Sequence, residues 1–135
     1  MIRSLPAICL VLVVLLSCNS NKKDTPLTDT DVATTFIRDI LDNKIDEAGQ
    51  YILMDTTNIQ YFESFRQAYR KKGQPELEKY RSAEIIINEI SNVTDSVSII
   101  NYSNSYMRSV KNTLKLVRIN GKWLIDFKYT FSGNM

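Results

Sequence analysis

The chain contains no histidine, only two cysteines, four glycines, three prolines and a single tryptophan. Each scarcity removes some chemistry. Without imidazole there is no side chain whose ordinary pKa places a general base near neutrality. The nitrogen ligand that dominates zinc and copper sites is missing too, so only carboxylates and amides are left to hold a metal. Cys9 lies inside an apolar run and Cys18 ends it, so nothing beyond Cys18 carries a thiol, a disulfide or a sulfur ligand. No glycine loop of the phosphate-cradling kind and no nucleophile elbow appear. A formal net charge of +2 leaves no basic footprint for nucleic acid. The expectation is a domain with no cofactor, no metal and no catalytic residue that stands out.

What the chain does have begins at its N-terminus. Arg3 supplies a positive charge, Leu5 to Leu16 is apolar apart from Pro6, and Ser17 is a small residue before Cys18. The run is too short to cross a bilayer core, which takes ~20 apolar residues. After Cys18 the sequence turns polar at Asn19-Ser20-Asn21-Lys22-Lys23-Asp24. This layout is that of a secretory signal. It resembles a bacterial lipoprotein signal, with the lipobox over Leu15, Leu16, Ser17 and Cys18. The resemblance implies a signal peptide over 1–17, diacylglycerol on the Cys18 sulfur with the freed amine acylated, and a lipidated tether over 18–27. A thiolate is the natural nucleophile for such a thioether, and two or three acyl chains anchor firmly at ~0.8 kcal/mol per buried CH2. The rival readings are cleavage after Ser17 with a free thiol, or an uncleaved helix. Asn19 is not the aspartate that signals inner-membrane retention in such proteins, which points to the outer membrane of a cell envelope. Lys22-Lys23-Asp24 only loosely resembles a surface-export tag, so the membrane face stays open.

The remaining 28–135 has the size of one domain with one core. Thr28-Asp29-Thr30-Asp31 offers oxygens to the free amides of a helix start, and Val32, Ala33, Phe36, Ile37, Ile40 and Leu41 form its apolar stripe. Asp42-Asn43 breaks it, and Ile45, Ala48, Tyr51 and Ile52 predict a second short helix. Asp55-Thr56-Thr57-Asn58 reads as a turn and cap, followed by a third stripe of Ile59, Phe62, Phe65 and Tyr69. Lys71, Lys72 and Gly73 close that helix, and Glu76 to Tyr80 add one more turn beyond Pro75. From Ile85 the character changes to β-branched and aromatic: Ile85-Ile86-Ile87, Val97 to Tyr102, Leu114 to Ile119 and Trp123 to Phe131 read as strands. Connections are expected at Asn92 to Asp95, Ser103 to Ser105 and Asn120-Gly121. Both residues of the last tolerate the positive φ of a two-residue hairpin turn.

That turn sets a register. Ile119 faces Lys122, Arg118 faces Trp123, Leu116 faces Ile125 and Leu114 faces Phe127, with these last six residues on the buried face. Val117 with Leu124 and Lys115 with Asp126 fall on a mixed, solvent-facing surface, where Asp126 is a cross-strand ion pair rather than a catalytic acid. Arg118 is expected to lie on the Trp123 indole. Glu84 and Glu89 read as exposed strand charges. The acidic stretch Asp29 to Glu47 and the basic stretch Arg108 to Lys128 read as solvated faces attracting weakly across the fold. Tyr51, Tyr69, Tyr102, Trp123 and Tyr129 are candidates for a pocket or core rim, lipidation falls on Cys18, and no residue is assigned to a cofactor or metal. Asp55-Thr56-Thr57 and Asp95-Ser96-Val97 resemble bacterial O-glycosylation acceptors, yet both are also ordinary caps or turns.

Helices followed by a meander of four strands define an α+β fold with N-terminal helices laid on an antiparallel sheet. The helix ending before Ile45-Asp46-Glu47-Ala48 and the hairpin Asn120-Gly121-Lys122-Trp123-Leu124-Ile125 resemble the NTF2-like (cystatin-like) superfamily, particularly the small lipoproteins of the DUF4878 group. The resemblance implies a curved sheet forming a cone whose mouth holds a small ligand. Fold alone does not deliver function. Three functions are therefore expected in order. The first is a non-enzymatic, lipid-anchored envelope module binding a small ligand or protein partner. The second is a weak hydrolase or isomerase using a carboxylate and a tyrosine. The third is a structural accessory lipoprotein, with a homodimer through the outer sheet face as one form.

Overall fold

The computed structural model describes residues 27–131. The expected signal segment 1–17, the expected lipidation site Cys18 and the expected tether up to residue 26 lie outside the described residues. The domain opens with helix α1, Asp29–Leu41, started by a reciprocal capping box. The Asp31 amide donates to Thr28 Oγ1 at 3.1 Å and the Thr28 amide donates to Asp31 Oδ2 at 2.9 Å. The stripe Val32, Ala33, Phe36, Ile37 and Leu41 is buried, as its spacing predicts. Asn43 takes φ of 59°, a left-handed value that asparagine tolerates, and ends the helix. Helix α2, Ile45–Gly49, is a single turn and a half that stops short of Tyr51 and Ile52. Those two residues instead lie beside the last strand, where Ile125 N donates to Tyr51 O and Leu53 N donates to Ile125 O.

Helix α3 spans Thr56–Arg70 and is capped by Asp55, whose side chain accepts from the Asn58 amide. Its stripe begins differently from the expectation. Ile59 is exposed and Asn58 is fully buried, because Asn58 joins a polar cluster described below. Gly73 has φ of −74° and caps helix α4, Gln74–Arg81, rather than terminating α3 in a left-handed turn. Pro75 sits in the first turn of α4, where its missing N–H costs nothing, so two turns form where one was expected. Arg38 of α1 ties the end of α4 down, donating to Ala83 O at 2.8 Å and Arg81 O at 3.1 Å.

The strands are β1 (Ile85–Thr94), β2 (Val97–Asn104), β3 (Asn112–Ile119) and β4 (Lys122–Ile125). They form one antiparallel sheet in the order β1-β2-β3-β4, the meander that the sequence predicts. The first turn is narrower than expected, since β1 runs on to Thr94, and the second connection is wider, running from Ser105 to Lys111. Register shifts interrupt β1 between Ile87 and Glu89 and between Asn92 and Thr94, the kind of bulge that bends a strand. The final hairpin has the predicted register, with Leu116 opposite Ile125, Val117 opposite Leu124 and Arg118 opposite Trp123. Asn120 and Gly121 both have positive φ, 51° and 78°.

Three expectations about this hairpin fail. Strand β4 ends at Ile125, and Lys128–Phe131 forms a short helical turn, α5, so Leu114 and Phe127 are not strand partners. Among the described residues Arg118 makes no ring contact with Trp123; the cations over rings are Arg66, Lys72, Lys79 and Lys115. Asp126 is buried instead of solvent-facing, because the chain turns off the sheet at that residue. The core fills the space between the helices and one sheet face, with Phe36, Ile37, Ile100, Leu114, Leu116 and Ile125 almost wholly enclosed. Phe127 is its aromatic hub, within 5.0–6.1 Å of the Phe36, Phe62, Phe65 and Phe131 rings. Each such pair contributes ~0.5–1.5 kcal/mol beyond its buried area.

Candidate functional site

A cavity of about 260 Å3 opens from this core between α1, α3, α4 and the inner face of the sheet. Phe36, Ile37, Ile40 and Leu41 of α1 supply one wall and Phe65 and Tyr69 of α3 another. Tyr102 and Leu114 form the sheet floor, and Phe127 with Phe131 of α5 closes one end. The inner walls are apolar because each belongs to a helical or strand stripe that must face the core. The mouth is formed by Lys72, Tyr80, Met107 and Val110. Among the described residues no aspartate or glutamate lines the cavity.

Three polar features mark its edge. The Tyr69 hydroxyl is buried and has no hydrogen-bond partner among the described residues. Burial above all, with Tyr80 and Glu76 adding to it, pushes its pKa up to about 12. Burial also raises the Tyr102 hydroxyl well above the ordinary tyrosine range, although Tyr102 keeps some accessible surface. That combination fits a phenol enclosed by protein yet facing a void. At the mouth the Lys72 ammonium lies 5.6 Å from the Tyr69 ring centre and 5.2 Å from that of Tyr80, and pairs with Glu76 at 3.0 Å.

The β2–β3 loop forms a lip with defined supports. Asn104 Oδ1 accepts from the Tyr106 amide at 3.0 Å and the Met107 amide at 2.9 Å. Ser105 is bound to Glu84 through both its amide and its hydroxyl. The Tyr80 hydroxyl reaches Met107 Sδ at 3.2 Å, and the Tyr106 ring meets Tyr80 edge-on at 5.1 Å.

A second cluster holds the start of α5 against α3. Asn58 Nδ2 donates to Asp55 Oδ2 at 2.9 Å and to Asp126 Oδ1 at 3.1 Å, and Asn58 Oδ1 accepts from the Lys128 amide at 2.7 Å. Lys128 Nζ bridges Asp126 Oδ1 at 2.6 Å and Asp55 Oδ2 at 3.4 Å, while Lys115 stands 3.7 Å from Asp126. The Asn58 amide holds the Asp55 carboxyl below the usual carboxylate range, and the hydrogen bond to Asp126 holds the Lys128 ammonium above its ordinary value. Thr130 Oγ1 donates to Thr113 O at 2.9 Å, so α5 is tied to both α3 and β3. The Lys115–Asp126 pair expected from the register is present, but as one edge of a network whose buried members are Asn58 and Asp126.

The five aromatic residues singled out from the sequence are divided by the structure. Tyr69 and Tyr102 line the cavity. Tyr51 and Trp123 instead border an open depression with Leu27, Val32 and Lys122, where Val32 is the only buried residue. Tyr129 lies under Lys115, 5.7 Å from the ammonium to the ring centre. Asp55 and the Asp95-Ser96 turn serve as cap and turn. Glu84 and Glu89 are exposed, as expected. Among the described residues the acidic stretch pairs with cations outside the basic stretch, Asp42 with Arg38 of its own helix and Asp46 with Arg66 of α3. Sequence reasoning missed Lys72, Tyr80, Met107 and Val110, since only the tertiary path brings the α3–α4 connection to the β2–β3 loop.

Among the described residues there is no cluster of acidic or thiol side chains fit for a metal, and no helix is long and apolar enough to cross a membrane. No family model, curated protein or solved structure matches the chain.

Proposed function

We propose that this protein is a non-enzymatic binding module of the NTF2-like kind, held at the cell envelope by lipid on Cys18, that takes a small apolar ligand into the cavity beneath α1. The observation that carries this reading is the cavity itself. It is a void of about 260 Å3 entering a core of aromatic and aliphatic side chains. An engineered cavity of ~150 Å3 with such walls is large enough to bind benzene. Apolar atoms lining such a space have few packing partners across it. A ligand supplies them. Among the described residues the lining is apolar and aromatic with no carboxylate placed as a general base, which favours binding over carboxylate–tyrosine catalysis at this site. The β1 bulges and the helix-on-sheet layering are consistent with the curved NTF2-like sheet.

Two measurements test the two halves of the reading. Native mass spectrometry of protein purified without denaturant is expected to show a small non-covalent adduct that Ile40→Trp loses, because the indole fills the cavity. An adduct equally present in both, or in neither, would contradict the binding half. Mass spectrometry of the N-terminal peptide from a lipoprotein-processing host is expected to show acyl chains on Cys18, and an unmodified thiol would remove the anchor.

A further inference from the structure

We infer that the ligand is a single-chain anionic amphiphile, its apolar part in the cavity and its acidic head at Lys72. This rests on the binding reading above and names the ligand class. Size sets the first limit. Sites that enclose a drug-sized ligand are ~300–1,000 Å3, and about 260 Å3 falls below that range. The interior therefore takes one short chain or one ring, and a bulkier head stays at the mouth.

The mouth is built for such a head. Its lip is apolar and partly exposed, with Tyr106 at 39%, Met107 at 38% and Val110 at 42%. Cations border that lip. Lys79 lies over the Tyr106 ring at 5.6 Å, and Arg108 and Lys111 are exposed in the loop that carries Met107 and Val110. With Lys72 these make four positive charges, against the carboxylates of Glu76 and Glu84. Lys72 is the best placed of them. Two aromatic rings and Glu76 hold its ammonium at the mouth, and one of its three N–H donors suffices for Glu76. Its ammonium lies over the ring of Tyr69, whose hydroxyl is buried and has no hydrogen-bond partner among the described residues. An oxyanion entering between Lys72 and Tyr69 gains a cation and satisfies that hydroxyl at once.

Methyl NMR on the purified full chain compares octanoate with 1-octanol, which share a chain and differ in charge. Octanoate is expected to shift the Ile37 and Leu114 methyl signals saturably, with affinity at least ~10-fold above that of octanol. Raised salt and Lys72→Met are both expected to erase that advantage while octanol binding stays. Arg108→Met with Lys111→Met, a pair of exposed positions with little bearing on folding, is expected to reduce it partly. Equal affinity for the two ligands would overturn the anionic head but leave the cavity standing as a binding site. No saturable shift with either would overturn the binding reading itself. Co-sedimentation with phosphatidylglycerol vesicles that depends on Lys72, with no octanoate shift, would move the cationic lip to a bilayer surface and also overturn the inference.

Discussion

Asn58→Asp changes an amide nitrogen to an oxygen and little else, so it isolates what the Asn58 cluster contributes. The new side chain can still accept from the Lys128 amide, which Asn58 Oδ1 holds at 2.7 Å. It loses the donors now given to Asp55 at 2.9 Å and Asp126 at 3.1 Å. Hydrogen bonds to charged groups contribute ~1.5–3 kcal/mol each, so two lost bonds amount to roughly 3–6 kcal/mol. Asn58 and Asp126 are buried, so water does not replace the bond between them, whereas the half-exposed Asp55 carboxylate can turn to water. Lys128 already bridges both carboxylates and offsets part of the added repulsion, which places the expected loss near ~4 kcal/mol. That is a large share of the ~5–15 kcal/mol of a typical domain. The sign with pH follows from the new carboxyl. Burial beside two carboxylates raises its pKa in the folded state above the ~3.9 of an unfolded aspartate. The penalty is therefore full at neutral pH and shrinks as pH falls toward that unfolded value. Asn58→Leu also breaks the cluster but has nothing to titrate. Urea unfolding of the three proteins at pH 7 and pH 5 reads the difference. The Asn58→Asp deficit relative to wild type should narrow on acidification while the Asn58→Leu deficit does not. A neutral-pH loss below ~1 kcal/mol, or a deficit that ignores pH, would refute the reasoning.

Other perturbations read separate parts of the structure. Tyr69→Phe removes a buried hydroxyl that has no partner among the described residues and should raise stability by ~1 kcal/mol; a loss of that size in urea unfolding would mean the hydroxyl is bonded after all. Gly121→Ala should cost ~1–2 kcal/mol through backbone strain alone, because φ is 78° and nothing lies within 4 Å of the added Cβ; an unchanged denaturation midpoint would contradict that. Asp31 and Asp55 are held below the ordinary carboxylate range chiefly by the amides of Thr28 and Asn58. The stability they add is full above the unfolded value of ~3.9 and is lost as pH falls through the lower folded values. Thermal unfolding from pH 5 to pH 2 should therefore steepen below about pH 4, and Asp31→Asn with Asp55→Asn should flatten that decline; an unaltered profile would count against both caps.

The elements were legible because local signals agreed with the global fold. The α1 stripe, the α+β order, the four-strand meander and the final register all follow from periodicity and from Asn120-Gly121. What was illegible depended on contacts distant in sequence. Ile59 looks like a core residue and Asn58 like a turn residue, yet Asn58 is the buried one because its partners Asp126 and Lys128 arrive about seventy positions later. Phe127 to Phe131 alternates well enough for a strand, but the same cluster turns the chain off the sheet, which brings the Phe131 ring parallel to that of Tyr61 at 5.5 Å. Of the candidate aromatic residues, tyrosine identity alone could not separate Tyr69 and Tyr102 in the cavity from Tyr51 at the opposite depression.

The most direct test is a benzene titration of the methyl-labelled protein, since benzene has neither charge nor hydrogen bonds and reports only on apolar space. The predicted result is a saturable shift confined to Ile37, Ile40 and Leu114, with Ile99 and Val117 on the other sheet face unmoved. Shifts that never saturate, or that fall on Ile99 and Val117 instead, would mean that the space beneath α1 is not a binding site.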